Sequence, residues 1–136
     1  MPFHSGITPG AVLNNQQLCE LFKCSPQGGM RRSLETNTLV IVSNHVKSIY
    51  DDRWVGDVFH YTGMGSKGDQ SRSFMQNKTL DESSRNGVEV HLFEVDRELE
   101  YRYQGRVQLA GSPYTEAQPD EDGTNRNVWV LIHRTN

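Results

Sequence analysis

The sequence predicts an α+β domain: a small curved sheet or open barrel of about five or more strands, with one longer and one short helix. Three observations carry that prediction. Apolar residues make up only 35% of the chain, and twelve glycines and five prolines interrupt it at the short intervals that many turns require. Runs of β-branched and aromatic residues of strand length recur between those turns. Only two stretches have the spacing of an amphipathic helix. At 136 residues one domain with its own core is expected, spanning 1–136, with 1–13 as a flexible N-terminal arm.

The first element is the short helix, near Asn15 to Phe22, with Asn14 or Asn15 as its cap. Leu18, Leu21 and Phe22 fall at i, i+3 and i+4 and give it one apolar stripe, while Lys23 suits the negative end of its dipole. Pro26 prevents continuation, and Gly28-Gly29 lets the following loop bend tightly before Arg31 and Arg32. Thr38 to Ser43 is a β-branched run and the clearest buried strand, leading through Asn44 to Lys47 into the middle of the chain. A second strand is expected over Asp57 to Tyr61. The longer helix is expected over Gln70 to Ser84, capped by Asp69 and stopped by Asn86-Gly87. Val88 to Val95 reads as a nearly continuous apolar strand, and Tyr101, Tyr103, Val107 and Leu109 alternate with polar residues as a half-exposed one. A loop from Gly111 to Gly123 then leads to a closing strand, Val128 to Ile132.

Composition restricts the function. No run approaches the roughly eighteen apolar residues of a membrane span, and the N-terminus lacks a basic region followed by an apolar core, so a cytoplasmic protein with no membrane partner is expected. Cys19 and Cys24 lack zinc-finger spacing, and two packed, reduced thiols are expected rather than a metal site. No cofactor is implied. The net charge of −3 opposes a polyanionic partner, but four acids lie between Glu116 and Asp122 in what reads as an exposed loop. Without them fourteen basic side chains face thirteen acidic ones, and it is the distribution of charge that decides phosphate affinity.

The chemistry is concentrated in Tyr50 to Gly63 and the Met64 to Gln70 segment that follows. These residues supply aromatic rings, the Asp51-Asp52 pair, a threonine and several glycines, the inventory of a pocket for a flat polar ring. A base outside its duplex is held by stacking between aromatic side chains and by hydrogen bonds to its Watson–Crick edge. Asp52 is a suitable acceptor for a cytosine amino group, and the Thr62 N–H or hydroxyl is a suitable donor for O2. Tyr50 and Tyr61 would be the two faces, and Gly63, Gly65 and Gly68 permit close backbone approach. Taken singly, Tyr61 and Phe59 are ordinary core rings and Asp51-Asp52 ordinary turn residues.

In combination these residues resemble the SRA (also called YDG) domains, which bind DNA carrying a modified cytosine and flip that base into a pocket. The resemblance runs through Tyr50, Asp51-Asp52, Gly56-Asp57, Tyr61-Thr62-Gly63-Met64-Gly65, Asp69-Gln70 and Asn77-Lys78-Thr79-Leu80. It continues through Gly87 to Val90, Tyr103 to Val107 and Trp129, covering roughly Pro26 to Ile132. It implies a PUA-like sheet and a double-stranded DNA partner containing 5-methylcytosine or 5-hydroxymethylcytosine. Asp52 then accepts from the cytosine amino group, Tyr61 is a stacking face, and Thr62 and Gly63 meet the pyrimidine edge. Tyr50 is the second face, with Ile49 the alternative in that register, because the interval to Tyr-Thr-Gly is shorter by one than the family's. The Ser25 to Met30 loop sits where the family enters the minor groove, so Gln27 would fill the vacated position, with Gly28 beside it. The long basic finger of eukaryotic members is reduced here to Met64 to Gly68. Further DNA contacts are expected from Arg31, Arg32, Ser43, Asn44, Lys47, Arg53, Trp54, Lys67, Asn77 and Lys78.

The resemblance is strongest to the recognition modules attached to HNH nucleases in bacterial modification-dependent restriction enzymes. It implies no catalytic residue and no metal in this chain, an HNH domain elsewhere, and leaves the oligomeric state open, including a dimer of the full-length nuclease. Two other classes are weighed: a metal-dependent nuclease using Asp51, Asp52, Glu82, Glu94 and the histidines, which lacks a nuclease motif, and a PUA-like RNA-binding module.

Overall fold

The computed structural model describes residues 3–47 and 49–135. Nine strands and two helices follow in the order β1 (Val12–Leu13), α1 (Asn15–Phe22), β2 (Met30–Ser33), β3 (Thr38–Asn44), β4 (Arg53–Val55), β5 (Val58–Thr62), α2 (Gln76–Asp81), β6 (Glu89–Arg97), β7 (Glu100–Leu109), β8 (Tyr114–Pro119) and β9 (Asn125–Thr135). The strands form one mixed sheet in the order β2-β3-β6-β7-β9-β5-β4, with β1 added to β7 and β8 to β9. The sheet curves because its two longest strands change partners along their length. β7 pairs with β6 through Val107 and with β9 from Val107 to Leu109. β9 then pairs with β8 over Asn125 to Val130 and with β5 over Val130 to His133.

β3 shows why the apolar run from Thr38 is continuous rather than alternating. Leu39 and Ile41 face one core cluster with Phe59, Leu80, Leu92 and Leu131, while Val40 and Val42 face another with Leu18, Phe22, Phe93 and Tyr103. Each face of the strand is therefore covered, α1 lying over one and Leu80 of α2 over the other. Phe22 has no exposed surface and touches Phe93 and His91 edge-on, and cutting it to alanine removes about 3–5 kcal/mol.

α1 forms as expected and is closed at both ends. Asn14 Oδ1 accepts from the Gln17 N–H at 2.8 Å, and Gln17 Oε1 accepts from the Asn14 N–H at 2.9 Å. Lys23 ends it in the left-handed region at φ +56°. Cys19 and Cys24 are free thiols, and burial pushes Cys24 up to about 11.

Four expectations are corrected. The longer helix begins only at Gln76, because Asp69 and Gln70 are spent on β9 instead of on capping: Asp69 Oδ1 accepts from the Asn127 N–H at 2.8 Å and Gln70 Oε1 from the Trp129 N–H at 2.9 Å. The segment expected as an exposed acidic loop contains β8, with Gln118 buried and Glu116 half-buried. Arg31, expected at the surface as a DNA contact, lies within β2 and is only 4% exposed. The described part of the expected flexible arm, residues 3–13, is packed: Phe3 lies 5.1 Å from the Phe22 ring, and Val12 and Leu13 pair with β7.

Candidate functional site

β5 carries the centre of the site to its C-terminal end. Strand alternation puts Phe59 and Tyr61 on one face, where their rings approach to 6.3 Å. It puts His60 and Thr62 on the other, where His60 Nδ1 meets the Tyr114 hydroxyl at 2.7 Å and Thr62 Oγ1 accepts from Gln118 Nε2 at 3.1 Å. The Tyr61 hydroxyl donates to the Gly29 carbonyl at 2.8 Å and lies 3.3 Å from that of Val42, and burial raises its pKa well above the ordinary phenol. The ring is thus locked to the 25–29 loop. The fit there is close, since a Cβ on Gly29 would stand 3.1 Å from the Tyr61 hydroxyl oxygen, which would have to give by a few tenths of an ångström.

Asp52 reaches the same point from the segment before β4. The Thr62 N–H donates to its Oδ1 at 2.7 Å, and the Ser43 hydroxyl donates to its Oδ2 at 2.8 Å. Burial raises the Asp52 pKa, opposed by these bonds and by the charge of nearby His45. Behind Ser43 the hydrogen-bonded groups continue into the sheet. His45 Nε2 lies 3.5 Å from Ser43 Oγ and 2.7 Å from Glu94 Oε2, and Trp54 Nε1–H donates to Glu94 Oε1 at 2.8 Å. Glu94 is only 4% exposed, so this pairing offsets the cost of burying its carboxylate.

Two cavities open beside these groups and share Gly28, Gly29, Tyr50 and Tyr61. The smaller, about 250 Å³, is lined by Asp52, Asn44, Arg31 and Lys47 as well, and is the more polar of the two. The larger, about 380 Å³, adds Met30, Met64, Gly63 and Phe74 and is mainly apolar. Together they make a cleft with a carboxylate on one side and aromatic rings at its centre.

Of the expected pocket residues, the structure brings Tyr50, Asp52, Tyr61, Thr62 and Gly63 together around this cleft. Thr62 is already engaged within the protein: its N–H donates to Asp52 and its hydroxyl oxygen accepts from Gln118, so it helps to orient the carboxylate. Gly63 donates its N–H to the Trp129 carbonyl at 2.8 Å, and a Cβ on it would stand 2.8 Å from Asn77 Oδ1.

The expected DNA contacts divide sharply. Asn77 is buried, its amide donating to the Met64 and Ser71 carbonyls and its Oδ1 accepting from the Met64 N–H at 2.6 Å, which makes it the bolt of the 63–75 loop rather than a surface contact. Arg31 is only 4% exposed and is turned inward onto the Gly28 carbonyl and Asn15 Oδ1, with its guanidinium 5.5 Å from the Tyr101 ring centre. Arg32 bonds the Thr38 carbonyl and Asn37. Arg53 is held by Glu116 at 2.8 and 3.0 Å, the reason its guanidinium is pinned in the charged form. Lys47 pairs with Glu98 and Lys67 with Glu121. Asn44 turns its Oδ1 onto the Val46 and Lys47 N–H groups, and Ser43 is buried beneath Asp52. Gln27, Gly28 and Lys78 are exposed, and Trp54 is partly so.

Gln118 is the site residue that sequence reasoning missed. Its Oε1 accepts from the Asp51 N–H at 3.1 Å while its amide donates to Thr62 and Glu116, so it ties both sides of the carboxylate segment to β8. The strand that carries it has no apolar alternation to reveal its inward face. Among the described residues His45, Glu94 and Asp96 bring potential ligand atoms within 4.8 Å of one another, but Trp54 and His45 engage Glu94 and Arg102 engages Asp96.

Residues 9–135 match the family model described as the ScoMcrA-like SRA domain. No curated protein matches the chain. Among solved structures, the sulfur binding domain and SRA domain of ScoMcrA complexed with phosphorothioated DNA aligns with a TM-score of 0.77 at 14% identity, over 95% of this chain and 40% of that one. The SUVH5 SRA domain in complex with methylated CHH DNA aligns at 0.70 and 22% identity, over 96% and 90%. The modification-dependent TagI restriction endonuclease aligns at 0.71 and 21%, over 96% and 50%. The curved PUA-like sheet expected from the sequence is the fold of these domains. The chain spans less than half of the ScoMcrA chain in that complex.

Proposed function

The chain belongs to the ScoMcrA-like SRA domain family, and from that premise we propose that it binds double-stranded DNA containing 5-methylcytosine or 5-hydroxymethylcytosine by turning the modified base into the cleft. It serves as the recognition module of a modification-dependent restriction endonuclease whose HNH catalytic domain lies elsewhere. The observation that carries this reading is that Asp52 and Tyr61 line one cavity, with the carboxylate already oriented by Ser43 and Thr62. A carboxylate so held keeps lone pairs for a cytosine amino group and has little freedom left to lose on binding. Tyr61 and Tyr50 supply the stacking faces, and Gln27 enters the duplex from the exposed loop to fill the vacated position.

Few of the cations around the cleft are uncommitted, so general attraction to phosphate is modest and the pocket carries much of the preference. Selection for a methyl group at C5 is worth about 1–3 kcal/mol, the scale of one methylene in an apolar recess. The test is competition binding with one duplex bearing cytosine, 5-methylcytosine or 5-hydroxymethylcytosine at a single position. Asp52→Ala is expected to abolish the preference for modified duplex while weaker general binding persists, and an unaltered preference refutes the assignment. Fluorescence of 2-aminopurine beside the modified position is expected to rise on binding as the base leaves the stack.

A further inference from the structure

Resting on the base-flipping reading, we propose that Phe74 and Met75 form an apolar wedge that enters the duplex beside the extruded nucleotide and covers the face of the neighbouring base pair. Both side chains stand in solvent although both are apolar, Phe74 at 45% and Met75 at 62% exposure. Phe74 lines the larger cavity together with Tyr50 and Tyr61, so the exposed surface is continuous with the proposed base slot.

The wedge is held out by its backbone. Met75 takes φ +48° and ψ −124°, a conformation that side chains other than glycine rarely adopt. On either side the turn is fixed: the Phe74 N–H donates to the Ser71 carbonyl at 3.2 Å, the Asn77 N–H to the Phe74 carbonyl at 2.9 Å, and the buried Asn77 amide to the Ser71 carbonyl. A rigid, projecting apolar turn beside a cleft suits insertion between bases.

The partner follows from the charges and from the rest of the cavity rim. Arg31, Arg32, Arg53, Lys47 and Lys67 are already engaged within the protein, so a complex with DNA needs contacts that do not depend on phosphate. Gly28 lines the same cavity as Phe74, and the exposed Gln27 beside it is a polar side chain that fills a vacancy without stacking. Phe74 supplies a solvent-exposed ring able to cover a base-pair face, and the exposed Lys78 lies three residues beyond Met75.

The test compares wild type with Phe74→Ser/Met75→Ser on a duplex carrying one 5-methylcytosine, with melting temperature confirming that the surface variant remains folded. Affinity is expected to fall about tenfold, with the dependence of log K on log salt unchanged because no phosphate contact is lost. Placing the 5-methylcytosine opposite an abasic site, where opening costs little, is expected to recover most of that loss. Phe74→Trp is expected to bind like wild type. Unchanged affinity in the double variant overturns the proposal, as does an equal loss on the pre-opened duplex. A wild-type dimer that the double variant dissolves also overturns it, assigning the patch to self-association. These results are separable from failure of the flipping reading, which shows as no 2-aminopurine signal with the wild-type protein.

Discussion

The two walls of the cleft are built on opposite terms. On the strand wall every polar group has a partner: Asp52 between Ser43 and Thr62, Gln118 between Asp51 and Thr62, Tyr61 on the 25–29 loop. On the loop wall, formed by the 63–75 segment, the surface offered to the cavity is glycine backbone, methionine and an exposed phenylalanine, and the buried Asn77 amide, with Gln70 and Arg126 donating to the glycine carbonyls, holds it in shape. The difference teaches that the polar groups of the strand wall are oriented by the protein itself, whereas the loop wall supplies shape and apolar surface; on the proposed reading a base edge would meet groups already set.

The strongest challenge to that contrast is Asn77→Ala. It leaves the Met64 N–H and two carbonyls without their partner, and is expected to cost about 3–4 kcal/mol in urea unfolding. A cost under about 1 kcal/mol shows that the loop wall does not depend on its bolt. Next comes acid. His133, wholly buried behind β5, has its pKa lowered to about 4 by burial. Because the unfolded state takes up the proton first, stability is full above about pH 6.5 and is lost as pH falls from there toward about 4, by roughly 3 kcal/mol. Melting temperatures across that range test this, and His133→Leu is expected to flatten the profile. Ser43→Ala sharpens the comparison on the strand wall: losing one donor to Asp52 is expected to lower the preference for modified DNA by about 1 kcal/mol, or roughly fivefold, with general binding retained. The smallest effect is expected from Lys47→Ala, whose exposed pair with Glu98 adds nothing measurable to the melting temperature.

The sequence was most legible where burial and secondary structure agree. Leu18, Leu21 and Phe22 announced α1, and the Thr38 to Ser43 run announced a strand covered on both faces. The central aromatic and acidic stretch announced the cleft, because its residue types are costly to place together without a use. Less legible were the elements whose inward side chains are polar. β8 turns the polar Glu116 and Gln118 inward and leaves the apolar Ala117 between them exposed, the reverse of the usual strand pattern, so it read as an acidic loop. Arg31 and Arg32 read as surface charges because sequence cannot show that Asn15, Asn37 and backbone carbonyls stand ready to receive them. The long helix failed for a related reason: Asp69 and Gln70 look like a helix start, and only the arrival of β9 more than fifty residues later diverts them.

The pairing of β3 with β6 is the one parallel contact among the described strands, Thr38 beside Glu89 and Asn44 beside Val95. A parallel neighbour obliges the chain to travel back along the sheet, and residues 45–88 make that journey, carrying Asp52, Tyr61, the glycine turn and Phe74 with them. Most of the cleft lining is therefore carried on an excursion anchored at both ends by adjacent strands of the core. Its packing depends on contacts distant in sequence, the kind that slow the folding of a domain as a whole. For anyone exchanging specificities between such domains, that excursion is the natural unit of transplantation, provided β8 and β9 travel with it to supply Gln118 and the partners of Gln70.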